Sequence, residues 1–350
     1  MNTGNVSLKQ YLVSWSNANT GCENIAEAVE CIAATGATLG NNIARFAITS
    51  ISPDSASKNS VSDTRSPLDT LAHNLFENAL PGTDVGILAS EESNEAIVLN
   101  KSKPLGVAID PLHGTSNIET NAPVGTLFSI FKFKPADLPL SKESFLGRRG
   151  ADQVAAGFFI FGPQTKLVLT LRHGTHIFSF DPESKEFWLS VADIQIPDAR
   201  REFAINASNY RYWDNSIRGY VDDCIAGDSG PREENFNMRW IASLVAEAYR
   251  VLVRGGIFLY PHDSRPGYEN GRLRLLYEAF PIALLIEQAG GAATDGENRI
   301  LDQKNPDLHG RVPLIFGSKD KVERVARYYA TPPVDKNRYA LFQRRQLLRN

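Results

Sequence analysis

Residues 107–120 read VAIDPLHGTSNIET. Val107, Ala108 and Ile109 form a short apolar run of the kind that makes a buried strand. Proline cannot donate to a sheet ladder and restricts the residue before it, so Asp110-Pro111 is expected to end that strand. Gly114, Thr115, Ser116 and Asn117 then supply small residues, hydroxyls and backbone N–H groups, the materials of an anion-binding turn. A carboxylate at a strand end followed by such a turn suits a metal ion beside a phosphate. A plain strand-to-turn junction has the same composition, so the stretch alone leaves both readings open.

Two other stretches narrow the choice. Upstream, Gly86-Ile87-Leu88-Ala89 runs into Ser90-Glu91-Glu92, two carboxylates directly after a probable strand. Downstream, Leu273-Arg274-Leu275-Leu276-Tyr277-Glu278 puts another carboxylate at the end of an apolar run, ahead of Pro281 and Gly290-Gly291. Three strand ends that each present a carboxylate can converge on divalent cations. Hard Mg²⁺ takes oxygen ligands and keeps positions open for phosphate and water.

Composition agrees with an enzyme of this kind. A chain of 350 residues is long enough for two domains or one large α/β unit. Its 37 basic and 40 acidic residues nearly cancel, which gives no global reason to expect nucleic-acid binding. Cys22, Cys31 and Cys224 include no close pair spaced for zinc and read as reduced thiols of a cytoplasmic protein. The opening MNTGNVSLKQYLVSW lacks the basic and apolar regions of a secretory signal. No apolar run approaches the ~20 residues of a membrane span, so no membrane partner is expected.

Along the chain, helices are expected at 7–15, with Ser7 as cap, at 22–39 and at 68–80. The polar stretch between Ser52 and Asp63 reads as a loop, and beside an active site such a loop can be a lid. Strands are expected at 87–89, 107–109, 125–133, 157–161, 166–171 and 176–180, and more weakly at 187–189. Beyond Pro197 come a second α/β region, a helix at 240–253, a strand at 257–260, a helix at 281–290 and a strand at 312–317. The expected division is 1–197, 198–335 and a basic tail at 336–350, with a layered α/β (α+β) architecture. The tail reads as a solvated terminus.

ILASEE, DPLHGTSNI, GGIFLYP, GRLRLLYEAFPIALLIEQAGG and the ending HGRVPL resemble, in order, class I fructose-1,6-bisphosphatases of the longer bacterial type. The resemblance spans nearly the whole chain. It implies the layered α/β/α/β/α fold of the lithium-sensitive sugar and inositol phosphatases, usually as a homotetramer. It also implies hydrolysis of the 1-phosphate of fructose 1,6-bisphosphate in gluconeogenesis or the Calvin cycle. Carried over by position, Glu91, Glu92, Asp110, Glu278 and the carbonyl of Leu112 would bind Mg²⁺, and Gly114, Thr115 and Ser116 would bind the reacting phosphate. Asp63 and Asp69, with Glu92, would position and deprotonate the attacking water. Asn206, Tyr260 and Arg272 would hold the distal phosphate and sugar, assisted by Asn209 or Tyr210. Arg239 would reach a neighbouring subunit's site, and Trp240 stands where a tyrosine is common in the family.

One position departs at the centre. The family motif carries a metal-binding aspartate where this chain has His113, and imidazole suits Mn²⁺ or Zn²⁺ better than Mg²⁺. The departure leaves open an enzyme with altered metal preference, one that still works with Mg²⁺, and an impaired or inactive family member. Sedoheptulose 1,7-bisphosphate is the alternative substrate. Pro104-Leu105 stands where animal relatives have a Lys-Tyr pair for AMP, so inhibition through that site is not expected.

Overall fold

A computed structural model describes residues 6–49 and 66–332. Asp63, the polar stretch from Ser52 and the tail at 336–350 lie outside the described residues.

Three helices come first: α1 (Leu8–Ala18), α2 (Glu23–Thr49) and α3 (Pro67–Ala79). Ser7 caps α1 in a reciprocal box with Gln10, and α2 runs ten residues beyond the expected end at Leu39. Then come β1 (Val85–Ser90), β2 (Ile97–Val98), β3 (Leu105–His113), β4 (Val124–Lys132), β5 (Gln153–Phe161), β6 (Thr165–Thr170), β7 (His176–Asp181) and β8 (Glu186–Val191). These form one sheet in the order β2-β1-β3-β4-β5-β6-β7-β8. The stretch around 187–189, weak in sequence, is a full strand closing that sheet.

The chain continues through β9 (Glu202–Ala204), α4 (Asn215–Ala226), β10 (Asn237–Met238), α5 (Leu244–Arg254), β11 (Ile257–Tyr260) and β12 (Leu273–Arg274). It ends in α6 (Phe280–Gln288), β13 (Ala292–Thr294), β14 (Arg311–Val312), β15 (Leu314–Gly317) and α7 (Lys319–Ala330). A second sheet runs β10-β9-β11-β15-β13, and β12 and β14 pair separately.

Three apolar clusters define the layers. One packs α1, α2 and α3 on the outer face of the large sheet, through Val29, Ile32, Phe76, Val107 and Phe159. A second fills the space between the sheets with α5 and α6, through Val251, Phe280, Ile286, Phe158 and Phe316. The third seats α4 and α7 beyond the small sheet, through Ile217, Tyr220, Ile257 and Val325. Central strands are therefore covered on both faces, which is why β1 and β5 read as continuous apolar runs rather than alternating ones.

Three expectations are corrected. The helix foreseen from Trp240 begins only at Leu244, capped by Ser243, and Trp240 lies in the segment before it. The strand foreseen at 312–317 is split by Pro313 into β14 and β15, which belong to different sheets. Glu278 is not at a strand end: β12 stops at Arg274 and Glu278 lies in a π-helical turn, Leu275–Ala279, a geometry frequent at functional sites.

Candidate active site

β1 and β3 are parallel neighbours, with Ser90 opposite Ile109. Parallel strands finish on the same edge, so Glu91 and Glu92 emerge beside Asp110, and the Glu91 N–H donates to the Ile109 carbonyl at 3.0 Å.

Pro111 does not end β3, contrary to expectation; it bends it. Between Asp110 and His113 the strand advances three residues while β4 advances two, from Leu127 to Gly125. That is a one-residue bulge, made where proline has no N–H to give and where the Thr126 hydroxyl donates to the Pro111 carbonyl at 2.8 Å. In a regular strand residues three apart face opposite sides. The bulge brings them to one side, with His113 Nδ1 2.9 Å from Asp110 Oδ2 and 3.2 Å from Glu278 Oε1. Ligand atoms of Asp110, His113 and Glu278 all lie within 4.8 Å of one another.

Asp110 and Glu278 are almost wholly buried. Burial first, and then neighbouring carboxylates, pushes the acids of Glu91 and Asp110 up to about 7 and that of Glu278 up to about 8. Arg274 partly offsets this crowding: its Nε lies 3.4 Å from Glu91 Oε1, and its backbone N–H donates to Glu278 Oε2 at 2.5 Å.

Beyond the bulge, Gly114 adopts φ 83°, a left-handed conformation that glycine enters without strain, and opens a 3₁₀ turn at Thr115–Asn117. Asp69 joins this turn to α3. One of its oxygens accepts the Ser66 N–H at 3.1 Å in a capping box; the other accepts the Thr115 hydroxyl at 2.6 Å.

Glu91, Glu92, Asp110, Leu112, His113, Gly114, Thr115, Ser116 and Glu278 line a cleft of about 600 Å³ that Asn206, Tyr260 and Arg272 also line. Burial pushes the Tyr260 phenol up, and Arg272 Nη1 donates to the Tyr268 hydroxyl at 3.0 Å. Trp240 is partly buried, stacked on Phe258 with centroids 6.0 Å apart, and also lines the cleft. Asn209 borders a small recess beneath Tyr260, whereas Tyr210 donates to Asp222 on α4. Arg239 does not line the cleft of its own chain; its Nε lies 3.7 Å from buried Glu202.

Sequence reasoning passed over Arg274 and Arg311, which both line the cleft. An arginine inside the apolar run 273–278 was the available signal for the first. Arginines therefore line the same cleft as the carboxylates, and Arg274 lies directly against Glu91.

The fructose-1-6-bisphosphatase N-terminal domain family matches residues 8–192, and the C-terminal domain family matches residues 196–330. The class 1 fructose-1,6-bisphosphatase of Paracoccus denitrificans is 52% identical over 83% of this chain and 86% of its own length. That of Xanthobacter autotrophicus is 45% identical over 93% of this chain and 99% of its own. The holo form of Leishmania major fructose-1,6-bisphosphatase superposes with a TM-score of 0.84 at 31% identity, covering 93% of this chain and 99% of that one. The layered α/β architecture and the sequence agree: this chain belongs to the class 1 fructose-1,6-bisphosphatase family.

Proposed function

We propose that this chain hydrolyses the 1-phosphate of fructose 1,6-bisphosphate, releasing fructose 6-phosphate and inorganic phosphate, in cytoplasmic carbohydrate metabolism. The observation that carries this reading is one cleft lined both by a cluster of carboxylates and by arginines, in a member of that family.

The donor set fits a divalent cation. Asp110 and Glu278 are buried like charges whose acids are pushed up, and a dication relieves that repulsion better than protons do. Glu91, Glu92, Asp110, Glu278, His113 and the Leu112 carbonyl would hold the metal, and an imidazole among oxygens favours Mn²⁺ or Zn²⁺ over Mg²⁺. When bound, such ions neutralise phosphate charge, acidify water and stabilise the leaving oxygen.

The remaining work falls to the chain. Thr115, Ser116 and the turn opened by Gly114 hold the equatorial oxygens of the reacting phosphate. Glu92, with Asp69 and Asp63, orients water and accepts its proton. Asn206, Tyr260 and Arg272 hold the distal phosphate. Arg239, exposed and outside its own cleft, supports a homotetramer in which it serves a neighbour. Arg239→Ala should then raise KM, and mixing it with subunits defective at Glu92 should regenerate competent sites.

The deciding experiment measures phosphate release from fructose 1,6-bisphosphate and sedoheptulose 1,7-bisphosphate with Mg²⁺, Mn²⁺ and Zn²⁺. Release should be fastest from the fructose compound and with Mn²⁺. Ligand-dependent thermal stabilisation without release from either sugar would overturn the reading.

A further inference from the structure

We propose that Arg311 is a substrate-binding residue, taking a phosphate group of the sugar bisphosphate from the cleft wall beside Arg274. The proposal rests on the sugar-bisphosphatase reading above and adds to it a contact from the HGRVPL segment, which had no role.

β12 and β14 pair antiparallel with Arg274 directly opposite Arg311. Directly opposite residues share a face of the ribbon, with Cβ atoms roughly 5 Å apart, and like charges in that arrangement repel. Arg274 has its own partners: Glu91 Oε1, and the His309 carbonyl at 2.7 Å from Nη1. Arg311 is exposed, and its side chain makes no ion pair or hydrogen bond among the described residues. It lines the cleft and also a neighbouring recess of about 310 Å³ that contains Glu269, Asp295 and Glu297. None of these carboxylates forms an ion pair with it.

A second arginine directly across the strand pair from the first, and without a counterion of its own, is an arrangement that an arriving anion stabilises. The guanidinium fork matches phosphate oxygens in pairs. A bisphosphate brings two such groups, and Arg311 adds a contact to those assigned above to Thr115, Ser116, Asn206, Tyr260 and Arg272, which line the same cleft.

The test compares wild type, Arg311→Gln and Arg311→Lys. Calorimetry on metal-free protein gives the Kd of fructose 1,6-bisphosphate, and phosphate release with Mn²⁺ gives KM and kcat. The glutamine variant should raise Kd and KM at least tenfold, with the loss in KM rather than kcat, and lysine should recover part of it. Its thermal midpoint without ligand should not fall, since the change removes a repulsion. A merely structural arginine would lower the midpoint and leave Kd alone. If wild type hydrolyses the sugar and the glutamine variant binds it equally tightly, the proposal fails and the bisphosphatase reading stands. A wild type that neither binds nor hydrolyses it overturns both.

Discussion

His113→Asp tests the metal centre. The imidazole Nδ1 sits 2.9 Å and 3.2 Å from two buried carboxyl groups. Replacing it by a carboxylate removes that polar contact and adds a like charge. Unit charges ~4 Å apart at an effective dielectric constant of ~20 interact by about 4 kcal/mol. Proton uptake by the crowded acids returns part of this, so the metal-free variant should lose about 3 kcal/mol of stability through the added like charge. Once a dication is present the sign reverses, because the new anion attracts it. Mg²⁺ affinity should rise by a few kcal/mol, roughly 10²-fold or more at ~1.4 kcal/mol per factor of ten. The assay has two arms: thermal unfolding in chelator and in Mg²⁺, and phosphate release with Mg²⁺ or Mn²⁺. The variant should melt lower in chelator, recover in Mg²⁺, and match or exceed wild type with Mg²⁺. Equal melting in chelator together with unchanged Mg²⁺ affinity would refute the reasoning, since His113 would then neither bridge the acids nor occupy a ligand position.

Three further outcomes follow from the geometry. Thr115→Val removes the hydroxyl that donates to Asp69 at 2.6 Å, a charged hydrogen bond contributing about 1.5–3 kcal/mol to the folded chain, so the thermal midpoint should fall, and kcat should fall with it because Thr115 also holds the reacting phosphate in the proposed mechanism. Without metal, burial and mutual repulsion push the acids of Glu91 and Asp110 up to about 7 and that of Glu278 up to about 8 in the folded chain, against ordinary values of 4.5, 3.8 and 4.5. The folded state therefore keeps protons that the unfolded state has lost, and stability in chelator should decline as pH rises from about 5 to 8. Saturating Mn²⁺ should abolish the decline; a flat profile in chelator would contradict the burial argument. Gly125→Ala would put a Cβ 2.1 Å from the Phe159 carbonyl between two central strands, so the denaturant midpoint should drop by the equivalent of at least ~3 kcal/mol.

Element types were legible because the chemistry is local: Ser7 announces a helix start, and the apolar runs of the large sheet announce buried strands. The pairing of Glu91 with Asp110 was legible in outline, as carboxylates after apolar runs. What could not be read is how Asp110 and His113 come together. Alternation along a strand forbids it, and only the bulge opposite Gly125, a long-range pairing property, permits it. Pro111 was read correctly as a disturbance and wrongly as a terminator. The helix start at Leu244 was missed because Trp240 and Ile241 fit a helical stripe, whereas the Ile241 N–H is taken by the buried Glu247 carboxylate at 2.7 Å. Arg274 and Arg311 escaped notice because a lone cation in an apolar run carries no role until its cross-strand partner is known.

The capping box of α3 ties a helix end to the turn opened by Gly114 through one side chain. Asp69 gives one oxygen to the first turn of the helix and the other to the Thr115 hydroxyl. Each carboxylate oxygen keeps a second lone pair, so neither bond has to break for Asp69 to accept from a water as well. A change at Ser66 therefore reaches Thr115 through a single carboxylate.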